Sequence, residues 1–171
     1  MTRTEVERWK EIINQEGKVK LPEMLLNHSF NEEKGAFCVS LEVAKYISYS
    51  LPKYRKEALK IYLEELSREN IEKEIMEAKR NNGVNNAEDT EQLIETIVFS
   101  CYTACLAFKE EGDLKKALEF IKLGIQLVEE EKCGLGCLRI GDLYFEKWKV
   151  LEELGRRCEL VDEIDELLFK K

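Results

Sequence analysis

At 171 residues with 44% hydrophobic side chains, the chain has the material for one sizeable core or two small lobes. Charged residues make up 36% and the net charge is −8, so the overall field repels phosphate backbones and argues against direct nucleic-acid binding. The start, "MTRTEVERWKEIINQEG", has no apolar signal core, and no run reaches the roughly 18 apolar residues of a membrane span, which leads to the expectation of a cytoplasmic protein that does not enter membranes.

Only two prolines occur, and apolar residues recur at three- and four-residue intervals almost everywhere, a periodicity that predicts an all-α fold. The first helix is expected to start after Thr4, capped with Glu7, and to carry Val6, Trp9, Ile12 and Ile13 on one stripe until Gly17. Residues 1–34 thus read as an N-terminal helix and a connector, the latter with a helical turn at Pro22 and the chain's one histidine, His28. From Gly35 to about Ser50 a second helix aligns Phe37, Leu41, Ala44 and Ile47. Pro52 opens its partner, whose buried face is expected to hold Ala58, Leu59, Tyr62, Leu63 and Leu66, so that residues 35–80 form a first helical hairpin. Beyond Ser67 the stripe loses phase, and Ile71, Ile75 and Met76 belong either to a bent continuation or to a separate short helix.

"RNNGVNNAEDT", residues 80–90, is rich in asparagine and reads as an exposed loop and lobe boundary. After it, residues 91–171 divide into two further hairpins. The first pairs 91–111 with 114–131 around Gly112-Asp113, and the second pairs 136–154 with 157–170 around Gly155.

Within "FSCYTACLAFKEEGDLKKALEFIKLGIQLVEE", the residues Cys101, Ala104, Cys105, Phe108, Gly112, Ala117, Ile121 and Gly124 fall at consensus positions of a tetratricopeptide repeat. Thirty-six residues later Cys137, Ile140, Gly141 and Tyr144 repeat the first helix's signature, while the unit's second half departs from it as a cap would. On these residues the chain resembles tetratricopeptide-repeat proteins over 91–145, and more faintly over 36–66. Small residues then mark helix crossings: Cys105 and Gly124 at one, Gly141 at the next.

The resemblance implies a non-enzymatic scaffold, an interaction or assembly module whose first helices line a groove for a peptide or partner helix. On that mapping the groove carries Tyr102, Thr103, Leu106 and Lys109 from one unit and Leu138, Arg139, Asp142 and Phe145 from the next. Lys109 and Arg139 would take a partner's carboxylates, unless these residues pack against the chain's own N-terminal helix. Self-association is left open.

Six cysteines in a reducing compartment are not a disulfide framework. Cys101 and Cys105, one helical turn apart, read as small core residues. A zinc site would add Cys133 and Cys137 as the third and fourth thiolates, and "CGLGC" alone suits a redox-responsive clip. A Cys–His nucleophile has only His28 to draw on, and Glu42, Glu64, Glu95 and Glu119 are expected beside the apolar stripes. No cofactor and no catalytic residue is therefore expected. The readings from other classes are a small helical-bundle enzyme, a cysteine-based metal or redox protein, and a helical subunit of a nucleoprotein complex. Abundant Lys and Glu also match the charge-rich surfaces of thermophilic proteins.

Overall fold

The computed structural model describes residues 2–16, 36–82, 87–132 and 140–169, and every element among them is helical. "TRTEVE" holds two overlapping Thr-x-x-Glu signatures, and the earlier one caps α1 (Arg3–Glu16). Thr2 N donates to Glu5 Oε2 at 2.7 Å and Glu5 N donates to Thr2 Oγ1 at 3.3 Å, so the box is Thr2–Glu5 and not the expected Thr4–Glu7. Val6, Trp9 and Ile13 form its buried stripe. The far end is tied down by Glu16, which accepts from Tyr54 Oη at 3.0 Å and pairs with Lys53.

α2 (Ala36–Ser50) is buried on nearly every side, with Phe37, Val39, Leu41, Val43, Ala44, Tyr46 and Ile47 all in the core. Pro52 does open the next element, through a single 3₁₀ turn (Pro52–Tyr54) leading into α3 (Arg55–Glu65). The buried face of α3 is Ala58, Ile61, Tyr62 and Glu65. Leu63, expected inside, is 45% exposed, and Ile61 takes the inward position.

The lost phase after Ser67 is a true break. Ser67 Oγ accepts from Asn70 N at 3.3 Å, and Asn70 Nδ2 reaches back to Glu65 O at 3.1 Å, so a separate helix begins, α4 (Arg68–Asn82). It runs well beyond a short turn and buries Ile71 and Ile75. Because α4 ends at Asn82 and α5 (Ala87–Glu110) begins at Ala87, residues 80–82 and 87–90 are helical, contrary to the expected loop; 83–86 lie outside the described residues. Intrahelical hydrogen bonding outweighs the low helix propensity of asparagine here.

α5 is the axis of the molecule, packing against α2, α3, α4 and α6 (Leu114–Glu131). Its join to α6 is specified locally. Gly112 adopts φ +81°, Gly112 N donates to Lys109 O and Asp113 N to Phe108 O, and Asp113 then caps α6 by accepting from Lys116 N at 3.0 Å. The same two-bond closure, with Gly155 at φ +74°, joins α7 (Ile140–Glu153) to α8 (Arg157–Phe169).

α5 and α6 run antiparallel, with Phe108 stacked on Phe120 at 5.3 Å and Gly124 lying on Cys101. A β-carbon on Gly124 would stand 3.2 Å from Cys101 Cβ, so the close crossing pairs Gly124 with Cys101 and not with Cys105. Gly141, also expected at a crossing, is exposed with open space around it. One continuous core extends from α1 to α7, and α8 adds no buried residue. No helix among the described residues is long and apolar enough to cross a membrane.

Candidate interaction face

Residues spaced three and four apart on α5 form the centre of an aromatic face. Phe99 and Tyr102 lie 6.3 Å apart, and Leu106 follows one turn on; all three are half-buried. On one side α2 contributes Lys45, which sits 5.2 Å over the Phe99 ring and is held by Glu42 at 2.8 Å. α2 also contributes Tyr49, 58% exposed, whose phenol is raised by burial and then by its neighbours Tyr102 and Glu110. On the other side α7 contributes Asp142 and Phe145, the latter 58% exposed with Lys149 Nζ 4.6 Å from its ring.

A buried carboxylate fixes α7 to α5. Glu146, 2% exposed, accepts from Lys109 Nζ at 2.6 Å and Lys149 Nζ at 2.7 Å. Burial pushes its pKa up, but the hydrogen bonds and charges of Lys109 and Lys149 outweigh that and leave it below the usual carboxylate value. Lys109 also lies 3.7 Å from Glu153. The lysine expected to meet a partner's carboxylate is therefore already paired within the chain.

Of the eight groove residues read from the sequence, Tyr102, Leu106, Lys109, Asp142 and Phe145 sit on α5 and α7 as mapped, whereas Leu138 and Arg139 lie outside the described residues. Thr103 does not belong to the face: it is 1% exposed and shares a 2.9 Å hydrogen bond with the Tyr62 hydroxyl inside the core. The reason is that α5 has neighbours on most of its circumference, and α3 covers the side where Thr103 points. Thr103 also donates to Ser100 O at 3.1 Å, and burial, only partly offset by Thr103 and Ser48, raises the Tyr62 phenol to about 12.

Sequence reasoning missed Tyr49, Phe99, Lys45, Lys149 and Glu146. For Glu146 the signal was present, since it falls three residues after Leu143 and four before Val150, both fully buried. Phe99 similarly continues the Tyr102–Leu106 stripe one turn back.

Cys101 and Cys105 are both buried. Burial raises the Cys101 thiol far above its ordinary value, and burial followed by the charge of Glu146 raises Cys105 to about 12. Both sulfurs are thus protonated and shielded, the opposite of an activated nucleophile. Cys133, Cys137 and His28 lie outside the described residues, and among those described no group of three or more His, Cys, Asp or Glu is arranged to hold a metal ion.

Away from this face, a concavity lies between α1 and α3, floored by Trp9 and Ile61 and rimmed by four glutamates together with Arg8 and Lys60. Its most buried carboxylate, Glu65, accepts from Asn70 Nδ2 at 3.3 Å. No known protein family, curated protein or solved structure matches this chain.

Proposed function

We propose that the chain is a non-enzymatic protein-interaction module, resembling tetratricopeptide-repeat proteins, that receives a peptide or partner helix across α2, α5 and α7. The observation that carries this reading is the aromatic face itself: Tyr49 and Phe145, each 58% exposed, flank half-buried Phe99, Tyr102 and Leu106 on three helices. Large exposed aromatics that cluster are a mark of interaction surfaces, whereas scattered ones are ordinary. Lys45 pairs with Glu42, and Lys109 and Lys149 share Glu146 while Glu153 adds a second carboxylate beside Lys109, so recognition rests on apolar anchors. The buried thiols Cys101 and Cys105 fit a cytoplasmic setting, and the net charge of −8 favours a partner other than nucleic acid.

The test uses tagged wild-type protein and the Tyr49→Ser/Phe145→Ser variant as baits in extract of the source organism. A partner held by the wild type, released by the variant at unchanged melting temperature, and retained from about 0.1 to 0.5 M salt is the expected result. Identical captures by both baits would sink the reading, as would a capture lost simply by adding salt.

A further inference from the structure

α8 carries two apolar stripes. Leu160 packs against the edge of the core, and Glu163 on the same side accepts from Trp148 Nε1 at 3.1 Å and pairs with Lys147. The other stripe faces outward. Cys158, Val161, Asp165 and Leu168 follow one another at spacings of three, four and three, and all four are exposed, Val161 at 55% and Leu168 at 71%. That spacing is the seam of a helix that expects a helix against it, with one polar residue at its centre.

The charges around the seam indicate which helix. α8 carries one arginine and five carboxylates in its thirteen residues. Arg156, just before the helix, is taken up by Glu159 through two 2.6 Å hydrogen bonds. No described residue forms an ion pair with Asp162 or Asp165, so the centre and flank of the seam are anionic. A second copy would set Asp162 and Asp165 against their equivalents on a chain already at −8, and an anionic membrane surface is repelled in the same way.

We propose that the outer face of α8 docks a basic amphipathic helix of another protein, apolar residues on Val161 and Leu168 and a lysine or arginine opposite Asp165. This surface is separate from the aromatic face of α2, α5 and α7, so either can fail without the other. The helix is ~20 Å long, which sets the partner segment at about two heptads. Unlike the aromatic face, this contact is sensitive to salt.

The experiment is a fluorescence-anisotropy titration of the full chain with a labelled two-heptad peptide, leucine at the seam positions and lysine elsewhere. Controls are a peptide of the same composition with the leucines scrambled off the seam, and one with glutamate in place of lysine. The seam peptide should bind, and Val161→Ser/Leu168→Ser should weaken it about tenfold or more while leaving melting unchanged. Asp165→Lys should weaken it as well, and neither control peptide should bind comparably. Absence of binding, equal binding of the scrambled peptide, or full retention in Val161→Ser/Leu168→Ser would overturn the proposal. So would sedimentation showing a wild-type dimer that the double variant abolishes, since the occupant would then be a second copy.

Discussion

A β-carbon on Gly124 would meet Cys101 Cβ at 3.2 Å, an atom fixed to the α5 backbone and unable to rotate aside. Gly124→Leu should therefore overpack the α5–α6 crossing and cost on the order of 1–3 kcal/mol, even though leucine is the better helix former. A β-carbon on Gly141 would meet nothing within 4 Å, so Gly141→Ala should be neutral or stabilising by up to about 1 kcal/mol. Chemical denaturation of the two variants checks the opposite signs. Glu146 makes a sharper case. Its folded-state pKa lies below the ordinary 4.5, so its contribution is present above that pH and is lost as pH falls through the folded value. Glu146→Gln should cost about 1–3 kcal/mol at neutral pH, and the gap from wild type should close below about pH 4.5. A gap that stays constant into acid would mean the ion pairs contribute nothing. Pulsed alkylation read by mass spectrometry should label exposed Cys158 at once, and Cys101 and Cys105 only on unfolding.

Helix boundaries differ in how plainly they are written. The turn glycines Gly112 and Gly155 are legible because their left-handed backbone and the two-bond closure around each follow from glycine's lack of a side chain. α4 is not, because only Ile71 and Ile75 mark its buried side and its last turn runs into asparagines that also suit a loop. Consensus mapping puts Thr103 on the groove because it gives α5 one covered face, whereas packing on α2, α3, α4 and α6 covers most of the helix. Glu146 is easily passed over in the sequence because a glutamate followed by Lys147 and Lys149 ordinarily belongs to a solvated face, although its spacing from Leu143 and Val150 marks the buried stripe. The elements also differ in stability. α8 has no buried residue and packs on α7 alone among its major neighbours, whereas α5 has four major neighbours. Hydrogen exchange should therefore run orders of magnitude faster in α8 than in the centre of α5; equal protection would require contacts that α8 does not make among the described residues.

Over the whole molecule, the all-α architecture is readable from periodicity alone, since nearly every stripe of apolar residues closes onto the continuous core. Of the proposed interaction face, the positions of Tyr102, Leu106 and Phe145 on α5 and α7 are readable, but the share of α2 depends on long-range packing that no local pattern encodes. The proposed role of the aromatic face requires one partner to lie across both α2 and α7. Its most direct measurement is site-specific photo-crosslinking, with a benzophenone amino acid placed at position 49, 145 or, on the exposed side of α6, 119. Irradiation in extract of the source organism should yield the same crosslinked protein from positions 49 and 145 and nothing from 119. Crosslinks from 119 alone, or different partners at 49 and 145, would contradict it.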